Sequence, residues 1–303
     1  MLQRSDFYPT RDDVVPDMFP RQEPVIHGSG GNGVSGPLDQ QQMTQFERDG
    51  FLWFEGFFPE QAVAPFLDEL RQMARRQDVR DLEQVVMDEE RQSIRSVFAM
   101  HELSAAFDRM TRDPRLLDMV RQILGSEVYI HQSRINSKAG FCGNGFVWHS
   151  DFETWHSEDG MPAMRAVSAS IMLTENNPFN GPLMLIPGSH GQFVPCVGRT
   201  PDQNWTSSLK HQHTGLPTRS DIDVLAGERG IQAPTGPAGS LLLFECNTLH
   251  ASNRNMSPWP RANLFFVYNS VDNRLVQPFS GTRPRPGYLA ARSRTRPLIA
   301  SRP

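Results

Sequence analysis

From Leu38 to about Asp49 the apolar residues recur at a helical period, and Gly50 ends the run. FLWF, residues 51–54, follows as a short strand. Pro59 opens a second helix whose apolar residues Val63, Phe66, Leu67, Leu70 and Met73 fall on one amphipathic face. A third has Asp113 as its N-cap, Pro114 at the first helical position and Gly125 just past its end. After Gly125 the period changes from helical to alternating. SEVYIHQSRINSK puts Val128, Ile130, Gln132, Arg134 and Asn136 on one strand face. A face that starts apolar and turns polar suits a strand running from a core into a polar pocket, and equally a strand with a solvated outer side. Val167–Thr174, Leu183–Ile186, Ser240–Glu245 and Asn263–Asn269, each bounded by Gly, Pro or Asn, predict further strands.

Strands that follow a helical N-terminal third, with no regular strand–helix alternation, argue against a doubly wound sheet. They predict a mainly β fold with flanking helices (α+β), as a sandwich, barrel or jelly roll. We expect one domain over residues 1–303. Residues 1–37, rich in Pro and Gly and without a period, form an irregular arm and linker. Residues 38–125 are mostly helical support, and residues 126–275 the β core. Within the core, the polar stretch 191–237 makes an excursion that would act as a lid. Residues 276–303 form a basic tail, since seven arginines and no acid follow Asp272; this predicts a surface tail or subunit contact.

Composition narrows the class. The 303 residues are 38% hydrophobic and 21% charged, with a mean hydropathy of -0.47, which fits a soluble globular protein and excludes fibrous and disordered ones. No apolar run reaches the roughly 20 residues of a membrane-spanning helix, and the N-terminus has no apolar signal core, so we expect a cytoplasmic protein with no membrane partner. A net charge of -4 argues against nucleic acid as a partner. Cys142, Cys196 and Cys246 offer neither a disulfide framework nor a CxxC zinc site.

The chemistry concentrates in FVWHSDFETWHSEDG, residues 146–160. A His-x-acid unit occurs there twice, as His149/Asp151 and His156/Glu158, and in a strand either pair could face one ion. A third ligand would complete a two-His-one-carboxylate face, which leaves coordination positions open for an Fe(II) oxygenase to use. His190, His211, His213 and His250 are candidates. His250 ends a strong strand signal, and Arg261 opens the next strand, where a guanidinium could grip the distal carboxylate of 2-oxoglutarate. His211 and His213 sit in the polar excursion, as a solvated pair would.

The run WHSDFETWHSEDGMPAMRAVSASIMLTENNPFNGPLMLIPGSH resembles the signature of the ectoine hydroxylases, within the phytanoyl-CoA dioxygenase branch of Fe(II)/2-oxoglutarate oxygenases. The similarity extends over nearly the whole chain, through SDFYPTR, HQSRINSK, ECNTLHAS and NRNMSPWPRANLFFVYN. One departure is GNGFVWH, residues 143–149, where the family implies a charged and more aromatic approach to the first ligand. The resemblance implies a double-stranded β-helix, the cupin-like jelly roll. It selects His149, Asp151 and His250 as iron ligands, and Arg261, Ser252, Asn136 and Phe146 as the 2-oxoglutarate site. Oxygen is the other co-substrate. Ectoine, a small zwitterion, calls for a cationic or amide clamp and an aromatic face. Gln132 and Arg134 would supply the first, Trp155, Phe244, Phe265 and Phe98 the second, and Asn263 a further hydrogen bond. The product would be 5-hydroxyectoine, with succinate and CO2 released, and a homodimer is implied. The alternatives are the same chemistry on another small substrate, such as an amino acid or acyl thioester, and a non-catalytic cupin-like metal-binding protein.

Overall fold

The computed structural model describes residues 6–28, 35–88, 93–142 and 145–301. Part of the Gly-rich stretch, the first two residues of GNGFVWH and the last arginine of the tail lie outside them. The N-terminal part contains β1 (Phe19–Pro20), α1 (Gln40–Asp49), β2 (Phe51–Phe54), α2 (Glu60–Arg75), α3 (Gln77–Arg80), β3 (Val85–Met87), β4 (Ile94–Phe98), α4 (Met100–Leu103), α5 (Ala105–Thr111) and α6 (Pro114–Leu124). Then come β5 (Val128–Lys138), β6 (Phe146–His149), α7 (Asp151–Thr154), which continues as a π-helical turn at Trp155–Asp159, and β7 (Ala166–Met172). The chain closes with β8 (Leu183–Leu185), β9 (Gln192–Phe193), α8 (Trp205–Ser208), α9 (Arg219–Arg229), β10 (Leu241–Glu245), β11 (His250–Ser252) and β12 (Arg261–Ser270).

The helix ends follow local chemistry. Asp39 caps α1 and is answered by Gln42, and Gly50 leaves that helix at φ +81°, a conformation glycine adopts without strain. Asp113 caps α6 and Gly125 ends it. Strands order as β2-β10-β7-β12-β5-β4-β3 in a major antiparallel sheet and β6-β11-β8 in a minor one. One face of the major sheet buries Ala169, Ile171, Leu243, Leu264 and Phe266 against Leu70, Phe107, Leu117 and Val120 of the helices. Each Val, Leu, Ile or Phe side chain among them contributes about 1.5–3 kcal/mol by leaving water. From the opposite face Leu242, Phe244 and Phe265 meet Leu183 and Leu185 of the minor sheet. The fold is a double-stranded β-helix, the cupin-like jelly roll, with helices backing its larger sheet.

Five expectations need correction. The support region 38–125 is less helical than expected, because β3 and β4 within it, besides the expected strand β2, extend the major sheet. The alternation in β5 is broken. Val267 of β12 faces Gln132 while Tyr268 faces Ile130, so His131 is an extra residue, a β-bulge that reverses parity. Val128 and Ile130 therefore pack toward the helices, whereas Gln132, Arg134 and Asn136 face the other side. The N-terminal arm is no linker, because β1 pairs with β9, Tyr8 is fully buried, and Arg11 pairs with Glu153 and Glu158. The basic tail also turns inward, where Arg285 forms a buried two-pronged ion pair with Asp159 at 2.7 and 2.6 Å. The 191–237 excursion contains α9, whose Thr218–Asp221 capping box carried the missed signal.

Two glycines test the turn geometry with opposite signs. Gly239, at φ +91°, precedes β10, and a Cβ there would lie 1.9 Å from the Phe58 carbonyl oxygen, whereas a Cβ on Gly227 within α9 would meet nothing within 4 Å. Urea unfolding should show Gly239→Ala losing about 2 kcal/mol or more. Gly227→Ala should gain about 0.5–1 kcal/mol.

Candidate active site

Antiparallel pairing of β6 with β11 puts His149 directly opposite His250. Cross-strand neighbours lie close enough for their side chains to meet, and the two imidazole centroids are 4.2 Å apart. Asp151 is the first residue of α7, beyond the end of β6, so the His-x-Asp unit spans a strand end and a helix start rather than one strand. Ser150 caps that helix and donates to Asn247, fastening the turn to the loop that leads into β11. Asp151 Oδ1 is 3.8 Å from His149 Nε2, and Oδ2 is 3.9 Å from His250 Nε2.

The donor set is prepared for a cation. His149 Nδ1 lies 2.7 Å from the Val147 carbonyl and His250 Nδ1 2.9 Å from the Thr248 carbonyl. A carbonyl only accepts, so each Nδ1 carries a proton and each Nε2 is the nitrogen turned toward the shared point, where it can bind a metal. Burial, then the neighbouring His149, lowers the His250 pKa to about 4, which keeps this imidazole neutral. Burial alone would raise the Asp151 carboxyl, but it lies below its ordinary range, with the Arg134 guanidinium the largest opposing influence. Asp151 Oδ2 is nonetheless buried without a hydrogen-bond partner. Two imidazoles with Nε2 toward the shared point, and one carboxylate, match a first-row divalent ion with open positions. This is the one such group of ligands among the described residues.

A cavity of about 120 Å³ opens beside this triad, between the sheets. At one end Arg261 of β12 is buried, with no ion pair among the described residues and no partner for its Nε; burial lowers its pKa to about 10. Lys138 is its cross-strand neighbour. Burial, then Arg261 and Arg95, lower Lys138 to about 6, and its Nζ donates to Ser252 Oγ at 2.8 Å and to the Asn253 carbonyl. Ser252, Asn136 and Phe146 line this end, and Arg95 lies over the Phe146 ring at 4.6 Å. Asn263 is set beneath, and with its amide oxygen toward Arg261 it accepts from Nη1 at 3.1 Å.

The other end is compensated. Gln132 donates to the Leu289 carbonyl at 2.7 Å and accepts from Arg134, which lies 4.7 Å over the Phe265 ring and 3.6 Å from Asp151. Trp155 is held edge-on against His131 at 5.0 Å. Arg11, from the N-terminal arm, meets Glu153 and Glu158; burial pulls its pKa down, but these carboxylates more than restore it. Glu158 also accepts from Asn204 of the excursion at 2.8 Å. Burial pushes Asp159 up, and Arg285 more than offsets it.

Of the residues expected from the sequence, His149, Asp151, His250, Arg261, Ser252, Asn136, Phe146, Gln132, Arg134, Trp155, Phe265 and Phe98 all face this cavity. Phe244 and Asn263 do not line it. Phe244 backs the His250 ring at 5.1 Å, and Asn263 braces Arg261. The second His-x-acid unit is structural: His156 bonds the Met161 carbonyl and Asp6 and stacks on Phe279 at 4.0 Å, while Glu158 belongs to Arg11. His190 bonds the Glu47 carbonyl, away from the triad. Sequence reasoning missed Arg11, Thr154, Arg285 and Lys138. Lys138 carried a signal, because it is the next alternating residue after Gln132, Arg134 and Asn136.

The family model described as phytanoyl-CoA dioxygenase matches residues 46–263. An ectoine dioxygenase of Halomonas elongata is 52% identical over 287 residues, covering 94% of this chain and 86% of that protein. One from Bordetella bronchiseptica is 50% identical, covering 95% and 92%. Among solved structures, EctD from S. alaskensis with 2-oxoglutarate and 5-hydroxyectoine superposes with a TM-score of 0.86 at 42% identity, covering 99% of each chain. A form of the same protein with bound Fe also gives 0.86.

The duplicated unit gives a direct test. After anaerobic loading, metal analysis should find Fe(II) nearly absent from His149→Ala and Asp151→Asn, and a full equivalent in His156→Asn. Iron retained by His149→Ala and lost from His156→Asn would reverse the choice of pair.

Proposed function

This chain belongs to the phytanoyl-CoA dioxygenase family, and from that premise we propose that it is an Fe(II)- and 2-oxoglutarate-dependent dioxygenase that hydroxylates ectoine to 5-hydroxyectoine. The observation that carries the reading is the contrast between the two ends of the cavity. Arg261 is a buried cation without a carboxylate, a costly state unless an anion joins it, and Lys138 beside it, whose pKa burial lowers to about 6, can take up a proton when one does. A dicarboxylate meets that need. Arg11, Arg134 and Arg285 already have Glu153, Glu158, Asp151 and Asp159 as partners, so the far end favours a ligand whose own charges cancel.

His149, Asp151 and His250 would hold the iron. When bound, it supplies the oxidising chemistry in which O2 and 2-oxoglutarate become succinate and CO2, and one oxygen atom passes to a ring carbon of the substrate. The chain's own work is placement. Arg261 would grip the distal carboxylate of 2-oxoglutarate with two parallel hydrogen bonds, Ser252 and Asn136 would add donors, and Phe146 would close the side. Trp155, Phe265 and Phe98 would hold the ring of ectoine, with Gln132 and Arg134 beside its carboxylate. Phe244 and Asn263 would act one step removed, through His250 and Arg261. Burial of the cavity keeps water away from the reacting carbon.

The same reading gives the product the role of a compatible solute in osmotic stress, and the enzyme a cytoplasmic site. Cys142, Cys196 and Cys246 are buried cysteines outside any disulfide, in keeping with a reducing compartment. No described helix is long and apolar enough to cross a membrane. The homodimer rests on the resemblance.

Iron-loaded protein given 2-oxoglutarate, ectoine and oxygen should form succinate and a product one oxygen atom heavier than ectoine in equal amounts. Succinate without that product would keep the oxygenase and discard ectoine, whereas no succinate would favour a binding protein. Arg261→Ala should raise the KM for 2-oxoglutarate by about tenfold or more, the worth of a charge-assisted bond, with iron content unchanged.

A further inference from the structure

Thr154 lies in α7 between Asp151 and Trp155, and its side chain borders the cavity. Its Oγ1 accepts a hydrogen bond from Arg11 Nη2 at 3.0 Å. An oxygen that accepts from a guanidinium turns its own hydrogen away from that donor. None of the described residues accepts this hydrogen, which leaves it free for a ligand in the cavity.

Arg11 is fully committed. Its Nε and Nη2 meet the two oxygens of Glu153 at 2.9 and 2.8 Å, Nη1 bonds Glu158 and the Thr200 hydroxyl, and Nη2 has Thr154 as its second partner. Those bonds use all five donors of the fork, so Arg11 has none left for a ligand. Its backbone amide donates to the Cys196 carbonyl at 2.7 Å, and its φ is +56°, a left-handed conformation rare outside glycine. Such a conformation persists only where the surroundings hold it.

We propose that Arg11 is a positioning residue of the substrate site: from the N-terminal arm it sets Thr154 Oγ1 so that the hydroxyl hydrogen points at an acceptor on the substrate, and it pins the turn that carries Trp155. This rests on the ectoine reading and adds the arm to that site. The role needs a planar fork with several donors at fixed angles, which a lysine cannot reproduce.

The test uses the iron-loaded full chain and four variants. Arg11→Gln removes the fork. Arg11→Gln/Glu153→Gln/Glu158→Gln removes it without stranding buried carboxylates, so it carries the test if the single variant fails to fold. Thr154→Val removes only the hydroxyl, and Arg11→Gln/Thr154→Val combines both. Each should raise the KM for ectoine about tenfold, the scale of one lost ligand hydrogen bond, while iron content and the KM for 2-oxoglutarate stay as in the wild type. The combined variant should be no worse than the singles, because both remove the same bond. The rise in Tm on adding ectoine to the iron-loaded protein without oxygen should shrink in the same variants. An unchanged ectoine KM in the charge-balanced variant or in Thr154→Val, or a multiplied effect in the combined variant, would overturn the role. Absence of hydroxylated ectoine from the wild type would fail at the substrate reading itself, before any variant is compared.

Discussion

Buried charge has to be compensated, and the molecule is arranged around how that is done. An ion removed from water costs several kcal/mol unless a partner meets it. Arg11, Arg285 and Arg134 are met within the chain by Glu153, Glu158, Asp159 and Asp151. Buried pairs of this kind are weak evidence of stability, since apolar residues of similar volume often do as well. Their effect is placement. The N-terminal arm, the excursion and the tail all reach the short helical segment 151–159 through these contacts, and that segment carries Asp151 and Trp155.

The backbone supplies what charge does not. Register sets His149 against His250, so two ligands follow from one strand pairing. The bulge at His131 does comparable work on the other sheet. Without it, the parity that buries Val128 and Ile130 against the helices would bury Gln132, Arg134 and Asn136 there too, and the cavity would lose its polar wall. One inserted residue lets a single strand serve an apolar core at its start and a polar site at its end.

The parts that were legible in the sequence are local. A glycine stop gave the end of α1, a cap and a stop those of α6, runs bounded by Gly, Pro or Asn gave β7, β10 and β12, and the ligand set rested on a short motif, a strand-end histidine and Arg261, with the resemblance choosing between the duplicated units. The rest depends on contacts across the chain. Nothing near Arg11 says that its partners are Glu153 and Glu158, and nothing near Arg285 points to Asp159. A period of two cannot show a bulge, because the residue that breaks it is defined only by its partner strand. Glu158 illustrates the limit: the spacing that made it a candidate ligand is real, but the arginine that claims it comes from the far end of the chain.

The two ends of the cavity also discriminate by what they refuse. A dianion at the compensated end would meet Glu153, Glu158 and Asp159 behind each arginine, and like charges would oppose it. A zwitterion at the Arg261 end would bring its own cation against Arg261, a buried positive group with no carboxylate to absorb it. Specificity is a difference between affinities, and it is set as much by such mismatches as by favourable contacts. The orientation of both ligands about the metal site thus follows from where the chain spends its carboxylates. That in turn requires the arm and the tail to be in place, because they bring the arginines that make the far end neutral.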